Sequence, residues 1–161
     1  MSHLRDATVG DIPSLTDLWH AGWHEAHADH VPPALLQQRT QDSFRVRLGR
    51  MISSIRVAVD ATGGIAGFCA IRTADQGELD QLFVSPEARG GGTAAALLAD
   101  GEHRLRVSGC ATPTLKCLPE NTRAARFYAR QGWLSRGVSE VKVETIDGPF
   151  PLRCIVFQKS L

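Results

Sequence analysis

The sequence predicts an α+β domain in which helices cover both faces of a mixed sheet. Three observations carry that expectation. Strand-like alternation of apolar, β-branched residues flanks Thr62-Gly63-Gly64 and returns over Glu78 to Val84. Helical spacing of apolar residues runs from Ile12 to Trp23 and from Ala94 to Leu105. Further strand patterns follow, so runs of strands interleave with a few helices.

From the N-terminus, Leu4 to Ala7 reads as a short strand. Thr8 or Asp11 offers a side-chain oxygen to cap a helix whose apolar positions Ile12, Leu15, Trp19, Gly22 and Trp23 share one face. The stretch from His24 to Pro33 breaks that helix, and Ala34 to Met51 reads as a second helix or a pair of short ones. Ile55 to Val59 and Ile65 to Ile71 form a hairpin across residues that tolerate positive φ. Asp75-Gln76-Gly77 turns the chain into Glu78 to Val84, which stops at Ser85-Pro86 because proline donates no ladder bond.

Across Arg89-Gly90-Gly91-Gly92 strand gives way to a helix that reaches about Val107. Pro113 opens a strand over Thr114 to Cys117. Asn121 then caps a helix bearing Ala124, Phe127 and Tyr128, ended by Gly132 in the C′ position. Val138 to Thr145 and Leu152 to Lys159, joined across Asp147-Gly148-Pro149, complete the sheet.

A length of 161 residues with 43% apolar side chains fits one domain over residues 1–161, burying roughly two thirds of its unfolded surface. The 18 basic and 17 acidic residues leave a charge of +1. No global field therefore draws the chain onto nucleic acid or an anionic membrane, and any anion must be caught locally. Cys69, Cys110, Cys117 and Cys154 stand without a CxxC pair, and the N-terminus lacks a secretory pattern, so a cytoplasmic protein with reduced, structural thiols is expected. No apolar run approaches the ~20 residues of a membrane span.

The strand-glycine-helix junction has a physical meaning. Glycines let the backbone turn successive N–H groups toward one point, and the helix N-terminus behind them adds about half a positive charge. Such a cradle suits a diphosphate. The alternative is an ordinary glycine-rich turn. No Gly-Lys-Ser/Thr follows, and no GxGxxG with a later acidic partner is present, so nucleotide hydrolysis and dinucleotide redox chemistry lose ground.

Leu82-Phe83-Val84-Ser85-Pro86-Glu87-Ala88-Arg89-Gly90-Gly91-Gly92-Thr93-Ala94 resembles the strand and signature loop of the GNAT superfamily of acetyl-CoA-dependent N-acyltransferases. The likeness continues through Asn121, Ala124, Phe127, Tyr128, Gly132 and Trp133, and spans Glu78 to Trp133. Gly91 and Thr93 depart from the commonest residues at their places. The resemblance implies about six to seven strands, a splay between the fourth and fifth, and about four helices. It also implies acetyl-CoA as cosubstrate, no metal, and an amine-bearing acceptor, and it leaves a homodimer open.

Carried over, the resemblance gives Arg89, Gly90, Gly91, Gly92, Thr93 and Ala94 to the pyrophosphate. Leu82, Phe83 and Val84 line the pantetheine arm, which Asn121 faces, and an N–H near Leu82 aims at the thioester oxygen. Tyr128, the single tyrosine, becomes the general acid for the departing thiolate. Glu78 takes the place of the general base, with Asp80 and the histidines of the first helix in competition; Lys116 disfavours a base on its own strand.

The first helix and its loop would form the acceptor wall, with Trp19, Trp23, His24 and His27 toward the substrate. His20 and His24 are spaced as a metal pair, but His24-Glu25-Ala26-His27 is not HExxH, because Ala28 holds the second histidine's place. Two other functions compete. One is a catalytically silent acetyl-CoA-binding sensor or interaction module. The other is a nucleic-acid binder using Arg39, Arg45, Arg47 and Arg50, against which the interspersed Asp42 and the neutral total favour a solvated face.

Overall fold

A computed structural model describes residues 2–161. Seven strands form one sheet: β1 (His3–Asp6), β2 (Ile55–Val59), β3 (Ile65–Arg72), β4 (Glu78–Val84), β5 (Thr114–Cys117), β6 (Leu134–Thr145) and β7 (Gly148–Gln158). Their order is β1-β2-β3-β4-β5-β7-β6. Every neighbouring pair is antiparallel except β4 and β5, which run parallel and meet at one register pair, Glu78 opposite Thr114. Beyond that pair the two strands part, and the sheet opens between them.

Among the described residues five helices cover the sheet: α1 (Ile12–His27), α2 (Pro33–Gln38), α3 (Gln41–Met51), α4 (Thr93–Val107) and α5 (Thr122–Arg130). The count exceeds the expected four because Ala34 to Met51 splits at Arg39-Thr40, where Thr40 accepts a hydrogen bond from Ser43 N and starts α3 afresh. The expected break at His24 is corrected. α1 continues to His27 because nothing before Pro32 removes a backbone donor. Among the described residues, no helix is long and apolar enough to cross a membrane.

The central strands are buried on both faces, and alternation divides their side chains between two cores. Val57, Phe68 and Ala70 pack with Leu15, Trp19, Phe44 and Leu48 beneath α1 and α3. Cys69, Ile71 and Leu79 pack with Leu97, Leu98, Leu105 and Trp133 on the opposite side, beneath α4.

β6 and β7 make a longer hairpin than expected, beginning at Leu134 and Gly148. Pro149 and Pro151 are tolerated in β7 because β5 reaches only Ile155 to Gln158, so no neighbour on that side needs a proline donor.

Candidate active site

β4 hands the chain through a single turn, Pro86–Ala88, to the glycine loop. Gly90 (φ +80°) and Gly92 (φ +83°) adopt left-handed backbone, which a side chain would oppose. Gly92 is also the N-cap of α4, so the first amides of that helix have no intrahelical acceptor. A Cβ added at either glycine would meet nothing within 4 Å, so the loop is open on its outer side.

In front of the loop lies a groove of about 390 Å³, floored by Leu82 to Val84 and walled by α5. Arg89, Arg123 and Arg130 line it. Glu25 from α1 reaches Arg89 at 3.0 Å and Arg123 at 3.9 Å, holding both guanidiniums at its edge. Free amides, the positive end of α4 and three cations together fit a diphosphate-bearing ligand. Below them, Ser85 N donates to Ala66 O of β3 at 2.8 Å. Backbone donors alternate along a strand, which turns the N–H groups of Leu82 and Val84 the other way, into the opening beside β5.

A second cavity, of about 150 Å³, lies between the sheet and the α1 to α3 layer. Trp19, Trp23, His27, Arg39, Arg47 and Asp80 are in its wall. Leu82, Phe83, Asn121, Ala124 and Tyr128 line both the groove and this cavity. The two spaces thus meet at the parted strands, with Tyr128 at the junction.

Electrostatics at the junction follow from burial. Tyr128 rests against Phe127 and Phe157, with ring centroids 5.4 and 6.1 Å away. Burial, and then the neighbouring Cys117 and Cys69, hold its hydroxyl far above the ordinary phenol range, so it keeps its proton. Burial and then the Glu78 carboxylate push Asp80 well above the usual carboxylate range. Glu78 lies 3.4 Å from both Arg72 and Lys116. Burial drives His27 down to about 4, leaving a neutral imidazole whose Nδ1 lies 3.0 Å from Trp23 O. Burial also pushes the Cys117 thiol up to about 12 and Cys154 up to about 11.

The structure brings most of the expected site residues together. Leu82 to Val84, Arg89, Gly90, Gly92 to Ala94, Asn121 and Tyr128 line the groove, while Gly91 stands outside its lining. Asn121 also caps α5, its Oδ1 accepting from Ala124 N at 3.3 Å. Trp19, Trp23, His27 and Glu78 line the second cavity. His24 does not: its Nδ1 lies 2.8 Å from His20 O, and its ring packs on that of His20 at 4.2 Å.

The solvated arginine face needs correction. Arg39 is 4% exposed and Arg47 8%, and both point into the protein, while Arg45 stays outside with Asp42. Ser43, Phe44, Arg47 and Leu48 form the buried stripe of α3, a spacing that places Arg47 inward. Arg123 and Arg130 were also missed; no local pattern distinguishes them from surface charges.

The sequence profile of the acetyltransferase (GNAT) family matches residues 12–133. An IAA acetyltransferase of Azospirillum brasilense is 28% identical over 138 residues, covering 84% of this chain and 82% of that relative. A GCN5-related N-acetyltransferase from Rhodopseudomonas palustris aligns with a TM-score of 0.76 at 20% identity, over 100% of this chain and 96% of the other. A phosphinothricin acetyltransferase from Sinorhizobium meliloti, solved in complex with acetyl-CoA, aligns at 0.73 with 21% identity, over 99% and 88%.

Proposed function

Because the chain belongs to the acetyltransferase (GNAT) family, we propose that it moves the acetyl group of acetyl-CoA to the primary amine of a small acceptor, by direct attack in a ternary complex. The observation that carries this reading is the meeting of groove and cavity at Leu82, Phe83, Asn121, Ala124 and Tyr128. A donor in one and an acceptor in the other approach each other only there.

Acetyl-CoA supplies an acetyl group activated as a thioester. The protein's part is to bind, orient and move protons. The loop amides and α4 hold the diphosphate, and Arg123 and Arg130 add charge at the groove wall. The Leu82 N–H is fixed toward the parted strands before any reaction, where a preorganised donor is worth most.

An ammonium acceptor must lose a proton before it attacks. Asp80, whose proton affinity is raised first by burial and then by the Glu78 carboxylate, is the base we favour. Glu78 itself is the alternative base. Tyr128 holds a proton at its Oη beside the junction, ready for the departing sulfur. Direct attack is preferred over an acyl-cysteine route because Cys117 and Cys154, although they line the cavity, are held as thiols rather than nucleophilic thiolates.

The test is coenzyme release from acetyl-CoA across a panel of amines, paired with calorimetric binding of acetyl-CoA. Release with at least one amine is expected. Binding without release from any amine would leave a binding module instead of an enzyme.

A further inference from the structure

We infer that the acceptor carries a carboxylate as well as its amine, held by Arg47 and Arg39 in the cavity beneath α1 to α3, with the amine toward Asp80. This rests on the acetyl-transfer reading above and names its substrate class as a small amino acid.

The argument starts from donors that lack acceptors. Arg47 is 8% exposed, yet it makes no hydrogen bond or ion pair among the described residues; its Nη1 is buried without a partner. Its guanidinium lies 4.4 Å over the Trp19 ring, a contact that positions the group without neutralising it. Arg39 is 4% exposed and donates once, from Nη1 to Glu144 O at 2.7 Å, while its Nε has no acceptor. Trp19 Nε1 is a third buried donor without an acceptor. All three side chains line the same cavity.

Arg104 shows what a structural arginine looks like in this protein. It donates to Asp100, to Ser54 O and to Cys69 O, at 2.9, 3.0 and 3.3 Å. Burying a guanidinium without such partners costs several kcal/mol, and the cost is recovered only if something supplies an acceptor. The nearby carboxylates do not supply it. Glu78 is committed to Arg72 and Lys116. Glu144 is exposed on β6, where water screens it. Asp80 lines the cavity and its charge reaches Arg47, but the two form no ion pair within 4.0 Å.

A cation and a carboxylate thus line one cavity without pairing with each other. A zwitterion satisfies both, its carboxylate on the guanidinium fork and its ammonium on Asp80. An amine without a carboxylate would leave Arg47 Nη1 and Arg39 Nε buried without an acceptor. The cavity of about 150 Å³ resembles in volume one that admits benzene, so the bound portion has on the order of six to ten heavy atoms.

The experiment uses the full chain, acetyl-CoA, and a panel of α-, β- and γ-amino acids, each paired with its carboxamide. Coenzyme release should favour the best free acid over its carboxamide by at least about 30-fold in kcat/KM, the value of a charged hydrogen-bonding pair. Arg47→Met should collapse that ratio toward unity, mainly through KM, while calorimetry shows acetyl-CoA still bound. If Arg47→Met does not fold, the wild-type ratio alone decides. Carboxamides used as well as free acids overturn the inference. So does normal acetyl-CoA binding without release from any free acid. Failure to bind acetyl-CoA would instead overturn the acetyl-transfer reading beneath it.

Discussion

Replacing Tyr128 by phenylalanine removes one oxygen and leaves the ring packing on Phe127 and Phe157 in place. Among the described residues no hydrogen bond contributes to the state of its hydroxyl; burial and nearby thiols do. Fold stability should therefore be unchanged or raised, by about 1 kcal/mol at most. The kinetic cost follows from the leaving group. A thiol with a pKa of about 8.5 must leave as thiolate when the proton donor is gone, and at pH near 7 that difference is worth about 2 kcal/mol. Turnover should fall by about one to two orders of magnitude. The deficit should shrink as pH rises through the thiol pKa, because a thiolate then needs no proton. Coenzyme release measured across that range for both proteins provides the assay, with acetyl-CoA affinity expected to be equal. A wild-type to variant ratio that stays constant with pH, or a kcat that does not change, would refute the role.

Other substitutions test separate parts of the reading. The acid limb of kcat/KM should lie above the ordinary carboxylate value of about 4 and vanish in Asp80→Asn with a loss of about 10²-fold. Glu78→Gln should shift the limb to lower pH, because removing a like charge lowers the proton affinity of Asp80; a limb lost in Glu78→Gln and kept in Asp80→Asn would make Glu78 the base. In ligand-free protein, Arg47→Met should be neutral or stabilising by about 1–4 kcal/mol, seen as a raised Tm, since a buried unpaired charge gives way to apolar volume; a lowered Tm would mean that the fold relies on the guanidinium. Gly67→Ala would put a Cβ 2.8 Å from Phe83 O and 3.1 Å from Leu97 Cδ1. β4 must then shift, costing about 1–3 kcal/mol in urea unfolding and weakening acetyl-CoA binding through the displaced groove floor; wild-type affinity would separate β4 from the cofactor.

Elements defined by short-range chemistry were legible in the sequence. The hairpin at Thr62-Gly63-Gly64, the strand after Pro113 and the helix capped by Asn121 follow from turn residues, capping and periodicity within a few positions. α1 ran past its expected end because the polar run after Trp23 contains no residue that stops a helix before Pro32. β6 and β7 extended past their apolar cores because an irregularity between Ser135 and Val138 takes up Gly137 at positive φ, and the hairpin pairing accommodates Pro149 and Pro151.

The groove was readable because its parts are contiguous: a loop, a helix start, an asparagine and a tyrosine at fixed spacing. The second cavity was not, since it is assembled from α1, the α2 to α3 segment and the strands β4 to β7, and only packing decides which charges turn inward. Counting charges treated Arg39, Arg45, Arg47 and Arg50 as equivalent. The helical offset from Phe44 to Arg47 and Leu48 held the distinction.

The single register pair between β4 and β5 has a mechanical consequence. Beyond it, the two halves of the sheet are joined by side-chain packing rather than by a backbone ladder, so the seam through the middle of the protein is also its least cross-linked line. A ligand arm laid along that seam would act as a splint. Saturation then raises the cohesion of the whole domain, by about 2.7 kcal/mol when free ligand stands at 100 times its dissociation constant. Abundance of the donor and persistence of the folded chain would rise and fall together.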